Sequence, residues 1–411
     1  MTKNWTPMRW PNQWKNPSML DLLKGAAITH LVMDDSAELR PVAGMAQQRG
    51  LKVSAPESNI DGVFVTVGDW PGIKITDTGA VDRAAAGPTG NPWVDSNGWN
   101  VILSTAMNPE SDVWVEAKPV APRLSRDSYV IGVADPAIHG ARWIISLDDA
   151  LASGIAEKKT DALGTWSAIA SATAFFAARE SWADFLPEGV FGVLSDFTGD
   201  NETMGKEILN LLSRSTQQFR VLLKSRFQPE SLKGLKAVIH ADVQAPAADL
   251  KKPVMDFVRA GGVLITGSQW GAAPGVPAEG LEHPRFAISS LGKGKIAVAK
   301  ASLDDPWLVA RDAQVILSHR HELLRFWNGG AVGASFRIGP DRKRGVAQMV
   351  FYGAMRSVGN PTMRVVGKCK SAKFRSIEQP APQSVAMEVQ KDGVELQLPP
   401  VTQYAAVELE F

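Results

Sequence analysis

The sequence predicts an α/β protein: a (β/α)8-type barrel, complete or truncated, then a doubly wound α/β domain, then an antiparallel β-sandwich. Three observations predict it. Short apolar runs alternate with helical segments up to about residue 188, which implies parallel strand pairing. Residues 189–300 repeat that alternation with cleaner, fully apolar strands. Beyond residue 301, alternating strands separated by turn residues dominate. The expected domains are therefore 1–188, 189–300 and 301–411, and a chain of 411 residues is too long for one ordinary core.

In the first region, strands are expected over residues 29–33, 52–55, 62–67, 73–76, 93–94, 113–115, 143–147 and 191–194. Helices are expected over 37–49, 100–106, 127–139, 149–155 and 166–185, with Pro41 and Pro136 interrupting two of them. Eight strands suit a barrel, but they occupy fewer residues than the roughly 200–250 usual for that fold. Residues 58–98 are also rich in Gly and Pro, with little helix between them. In the second region strands are expected over 190–194, 220–223, 237–240 (AVIH) and 263–266 (VLIT), with helices over 202–213 and 247–260. Gly261-Gly262 is a helix stop before the last of these strands. The segment 191–194 can serve only one of the two regions, and it belongs to the second or marks the join. In the third region strands are expected over 345–352, 363–366, 384–389, 393–398 and 404–409. Asp392-Gly393 is a hairpin turn between two of them, and a helix over 312–327 connects this region to the preceding one.

Composition excludes several classes. With 44 basic and 43 acidic residues, net charge about +1, the chain has no electrostatic footprint for nucleic acid or an anionic membrane. No apolar stretch approaches the roughly 18–20 residues of a membrane span. The first residues lack the apolar core of a signal peptide, so the chain as it stands reads as cytoplasmic, or as periplasmic or secreted if such a peptide has been removed. One cysteine, Cys369, excludes an intrachain disulfide and a multi-cysteine metal site. The six histidines show no metal-binding spacing, so no metal or cofactor is expected.

Five apolar runs of the first region end in a carboxylate: residues 30–35 (HLVMDD), 51–57 (LKVSAPE), 93–95 (WVD), 112–116 (DVWVE) and 143–149 (WIISLDD). In a (β/α) barrel the loops beyond the strands' carboxyl ends form the open, concave face, and chemistry sits there. Glycosidic cleavage needs two carboxyl groups facing across the anomeric carbon. Glu57 and Glu116 are the expected pair, because each closes an apolar strand and glutamate's extra methylene reaches into a cleft. Asp95 and Asp149 are candidates to support or replace one of them. Asp95 lies in PWVDSNGW (92–99), which combines an acid, a hydroxyl, an amide and two aromatics, yet Asp-Ser-Asn-Gly is also a plain turn sequence. One of Asp148-Asp149 caps the following helix, leaving the other for the cleft. Asp34, before the helix near Glu38, serves as a cap or a substrate contact.

Thirteen tryptophans stand against three tyrosines, ten of them before residue 190. Tryptophan stacks on sugar rings, so Trp93, Trp99 and Trp114, with Asn97, are the expected substrate contacts, although packing is the alternative for any single ring.

The segment from 192 to 270, opening with LSDFTGDNE and closing with VRAGGVLITGS, resembles the middle domain of the three-domain β-galactosidases. That domain is similar to class I glutamine amidotransferases. The resemblance implies the order barrel, amidotransferase-like domain and β-sandwich. It also implies glycosidase activity on a carbohydrate substrate and homo-oligomerisation (dimer or trimer) through the middle domain. The amidotransferase nucleophile would be a cysteine after the AVIH strand, where Ala241-Asp242 stands, so the middle domain is expected to be silent in that sense. No Asn-Glu pair matches the galactosidase acid/base, so galactosidase specificity is not implied. The leading expectation is a glycoside hydrolase acting on an oligo- or polysaccharide. The alternatives are a non-catalytic glycan-binding or assembly protein on the same scaffold, and a carbohydrate lyase or isomerase.

Overall fold

The structure is a computed structural model, described here for residues 6–56, 58–77, 82–84, 93–119, 124–271, 274–353 and 360–411. Six short strands of the first region pair in parallel, in the spatial order Lys52–Ser54, His30–Val32, Pro7–Arg9, Arg142–Trp143, Asp112–Glu116 and Val63–Val67. Two three-stranded sheets form this row, joined by a parallel bridge between Met8 and Ile145. On one face Met8, Leu31, Val113, Val115, Trp143 and Ile145 pack in a core with Val42, Leu151, Ile155, Trp166 and Ile169. These last residues come from helices Arg40–Gln48, Asp149–Ala156 and Thr160–Ala177.

Pro7–Arg9, which the sequence did not announce, is the strand that joins the two halves. Three residues are too few to display a period of two, and a proline opening the strand hides it further. Conversely, two expected strands leave the row. Gly72–Ile73 pairs antiparallel with Val94–Asp95, and Ile75–Asp77 pairs antiparallel with Asp82–Ala84. The physical reason is that parallel neighbours need a crossover of about a dozen residues, usually helical, and the Gly/Pro-rich stretch supplies no helix. Among the described residues the row therefore has six strands rather than eight, with no pairing between Lys52–Ser54 and Val63–Val67.

The second region is a seven-stranded sheet in the order Phe219–Leu223, Phe191–Ser195, Ala237–His240, Val263–Thr266, Gly294–Ala299, Phe286–Leu291 and Val276–Pro277. The first five are parallel and the last two antiparallel. Phe191–Ser195 belongs here and pairs on both sides. Helices Glu202–Arg214 and Pro306–Leu317 cover one face together with Leu103 of the first-region helix Gly98–Met107. Helix Ala248–Arg259 covers the other through Val254, Met255 and Val258.

The third region has two antiparallel sheets. Six strands run in the order Leu186–Pro187, Val332–Ile338, Arg344–Phe351, Tyr404–Glu410, Ser371–Ser376 and Gln383–Ser384. Four run in the order Leu324–Trp327, Thr362–Val366, Gly393–Gln397 and Ala386–Gln390. Phe336, Met349, Phe374 and Val407 of the first sheet meet Leu324, Met363, Val365 and Leu396 of the second in one core. The expected helix over 312–327 is corrected. The helix is Pro306–Leu317, opened by Asp305, whose side chain accepts from the amides of Trp307 (2.9 Å) and Leu308 (3.3 Å). Ser318, at φ 78°, ends it, and Leu324–Trp327 is a strand. The opposite face of the six-stranded sheet carries Val346, Val350, Tyr404 and Ala406, which pack against Ile131, Ala134, Ile138, Phe175 and Trp182 of the first region. That sheet is thus covered on both sides.

Candidate functional site

Along Asp112–Glu116, Val113 and Val115 point into the helix-covered core, so alternation sends Trp114 and Glu116 to the inner face of the row. The pairing registers place Pro7, His30 and Lys52 at one level, and Arg9, Val32 and Ser54 one step higher. The rings of His30 and Trp114 meet edge to face with centroids 5.0 Å apart. Their strands are three steps apart in the row, roughly 14 Å if the sheet were flat at about 4.8 Å per strand. Contact at 5.0 Å therefore requires the row to curl strongly around its inner face. His30 also hydrogen-bonds through Nε2 to Ser54 Oγ at 2.8 Å. Burial lowers the His30 pKa to about 4, with Lys52 adding to the effect, so the ring is neutral near pH 7.

One step toward the carboxyl ends, the Arg9 guanidinium donates to Glu116 Oε1 across the intervening strand. Both side chains keep contact with solvent, 35% exposed for Arg9 and 26% for Glu116. The register partner of Glu116 is Val67, which is 82% exposed. The inner face is therefore open beside this carboxylate. The arrangement is a carboxyl group held by one guanidinium N–H donor, with one free side. It suits a nucleophile, a general base or an acceptor for sugar hydroxyls.

The other expected site residues are distributed differently. Glu57 lies outside the described residues. Trp114 is fully buried, so its ring is closed to a substrate and serves as inner-face packing; this corrects its assignment as a stacking platform. Asn97, 2% exposed, is likewise a structural residue. Its amide nitrogen donates to Asp135 Oδ2 and to the Asp69 carbonyl, both at 2.9 Å, and its side-chain oxygen accepts from the Asp69 amide. A side chain on neighbouring Gly68 would place Cβ 2.3 Å from Asn97 Oδ1, so the glycine is required there. Trp99 sits in helix Gly98–Met107 and packs, partly buried, on the second-region core. Trp93 donates through its indole N–H to Asp95 (3.1 Å) and lies under the Arg214 guanidinium, 3.4 Å from the ring centroid. Trp93 and Asp95 therefore bind this arm to the second region.

Asp148 and Asp149 separate cleanly. Asp148 is buried and accepts from the Leu151 amide (2.8 Å), the Tyr129 hydroxyl (2.9 Å) and the Leu124 amide (3.1 Å). Asp149 is the exposed acid of the first helical turn, where it complements the helix dipole. Asp34 is exposed and accepts from Asn12 Nδ2 at 2.5 Å. No described group of three or more His, Cys, Asp or Glu side chains could hold a metal ion.

Arg9, His30 and Ser54 escaped the sequence reading. The available signal was their place at the ends of very short strands, where a polar side chain interrupts an apolar run. Asp135 also escaped it. This carboxylate is completely buried and accepts from Asn97 and, at 2.6 Å, from the Tyr352 hydroxyl of the third region. Burial raises its pKa, against the pull of its three donors.

No family model matches the sequence, and no curated protein matches it either. Solved structures do resemble it. The α-L-fucosidase isoenzyme 2 from Paenibacillus thiaminolyticus superposes with a TM-score of 0.56 at 8% identity, covering 100% of this chain and 98% of that one. The β-galactosidase from Bacillus circulans sp. alkalophilus gives 0.52 at 11% identity, over 90% of this chain and 66% of that one. A rhamnosidase from Novosphingobium sp. PP1Y gives 0.51 at 11% identity, over 90% of this chain and 38% of that one. The shared property at these identities is the fold: the chain is built on a glycoside hydrolase-like scaffold, and it is compact beside the galactosidase and the rhamnosidase.

Proposed function

We propose that the protein is a glycoside hydrolase whose carbohydrate substrate binds at the carboxyl ends of the first-region strands, beside Glu116. The observation that carries this reading is the Arg9–Glu116 pair, about one-third exposed on the curled inner face and open on the Val67 side. Glu116 acts as nucleophile or base, and Arg9 orients it. Glu57, which closes the neighbouring apolar run in the sequence, is the proposed second carboxyl group. The domain limits 1–188, 189–300 and 301–411 belong to the same proposal, as does self-association through the middle region.

A second reading, a glycan-binding protein without turnover, is favoured by a specific observation. Two of the expected acids make protein contacts, Asp95 to Trp93 and Asp34 to Asn12, and the neighbouring Asp148 is a helix cap. The two readings part in one experiment. A panel of aryl glycosides and polysaccharides is assayed for hydrolysis and, by calorimetry, for binding, with wild type and Glu116→Gln. Hydrolysis that falls by about 100-fold or more in Glu116→Gln supports the enzyme. Undiminished hydrolysis in that variant removes Glu116 from the chemistry, and binding without any hydrolysis by wild type selects the second reading.

A further inference from the structure

Where the first region meets the six-stranded sheet, a small cavity of about 20 Å³ is lined by Arg142, Arg179, Arg337, Glu180, Trp182 and Gln348, among others. It lies on the side of the row opposite Glu116, because Arg142 opens its strand whereas Glu116 closes its own. Three guanidinium groups face one carboxylate here. Arg142 is balanced by Asp112 and Glu180, and Arg179 stacks on Phe175, 3.7 Å from the ring centroid, beside the Arg375–Glu408 ion pair. Arg337 is different. It donates to the carbonyl oxygens of Phe185 (2.9 Å), His139 (3.2 Å) and Ala183 (3.3 Å), and among the described residues no carboxylate lies within ion-pair distance of it. Neutral carbonyls orient a guanidinium without cancelling its charge, and burial alone depresses its pKa to about 10.

Gln348 supplies a second, independent observation. It is 3% exposed, and its side-chain oxygen accepts from the Tyr404 hydroxyl at 2.9 Å, whereas its amide nitrogen has no acceptor among the described residues. Register explains how it faces Arg337. Val346 pairs with Arg337 and lies in the interface core, and Gln348, two residues on, shares that face. A guanidinium without a carboxylate of its own and an unused N–H donor thus converge on one cavity.

We propose that this cavity is a binding site for a single small inorganic anion of halide size, held by Arg337, Gln348 and the flanking arginines. The volume admits about one or two water-sized spheres of roughly 10–15 Å³ each, which suits a monatomic anion. The anion neutralises Arg337 and joins the first region to the sandwich, so its effect appears in stability rather than in turnover.

The test uses the full chain at constant ionic strength, with sodium chloride replaced by sodium gluconate. The expected result is a melting temperature several degrees higher in chloride, rising with chloride concentration. Gln348→Leu removes the neutral donor while preserving volume, and it should shrink that difference; Arg337→Met should abolish it. Crystals grown in bromide should show an anomalous peak beside Arg337. Identical melting in the two salts, or an anomalous map empty at this cavity, overturns the proposal. The outcome is independent of glycosidase activity, because none of these residues touches the Glu116 site.

Discussion

Both parallel sheets of this protein end strands in carboxylates, yet Asp242 of the second and Glu116 of the first are used in opposite ways. In the second region Asp196 and Asp242 follow two adjacent strands, and Lys224 follows the strand beside them. Asp242 is 3% exposed and paired with Lys224, whereas Asp196, 3.7 Å from the same ammonium and held by Asn201, stays 42% exposed at the rim. Four neighbouring strands continue one apolar face (Leu194, Leu222, Val238, Leu264) into this polar layer, to which His240 and Thr266 also belong. In the first region Glu116 is also paired, but the pair is open to water and bordered by an exposed valine. The difference shows that a strand-end acid does not by itself announce a site. What matters is whether the acid is buried against its counter-ion, as Asp242 is, or left in contact with water on one side, as Glu116 is.

That contrast can be broken by mutation. The largest stability loss is expected for Asp242→Ala, which leaves the Lys224 ammonium only the more distant Asp196 and should cost about 3 kcal/mol by denaturant unfolding. If the loss is no larger than that of Glu116→Gln, the two pairs are equivalent and the contrast fails. Next comes Gly98→Ala. A Cβ there would lie 2.4 Å from His139 Nε2, so overpacking should cost about 1–3 kcal/mol, measurable in the same assay. The smallest effect on stability belongs to Glu116→Gln, about 0–1 kcal/mol, because its ion pair is solvent-screened. Its consequence should instead be the loss of hydrolysis described above.

A pH experiment sharpens the comparison further. His30 in the first region and His240 in the second are buried, and desolvation lowers each pKa from 6.5 to about 4. The unfolded chain therefore takes up these protons first. The stability linked to each neutral ring is present above about pH 6.5 and is lost as the pH falls toward 4. Melting temperature should decline over that interval, and His240→Gln should flatten the slope. An unchanged slope in that variant would assign the acid sensitivity to other groups.

Much of the second region was legible because its strands are uniformly apolar and its helices amphipathic: Ala237–His240 and Val263–Thr266 fall where the sequence put them. The hairpin at Asp392-Gly393 was equally plain. The first region was harder, since its strands are only two to five residues long and a period of two needs length to show. The helix expected over 312–327 failed because the run HRHELLRFW reads as amphipathic, whereas the Asp305-Pro306 start signal lay upstream of it. For the site, Glu116 could be picked out as an acid closing an apolar strand. Its partner Arg9 could not, because more than a hundred residues separate them.

By itself the sequence determined the class of scaffold, the order of its regions and the carboxylates available to it, because periodicity, turn residues and strand-end acids are local properties. Tertiary structure alone decided how each charge is used. It curls six strands until His30 touches Trp114, buries that tryptophan instead of offering it to a sugar, and brings Arg9 to Glu116 and Arg337 to a small cavity against the sandwich. Burial and ion pairing depend on what lies across the fold, and strand pairing, not sequence spacing, sets those distances.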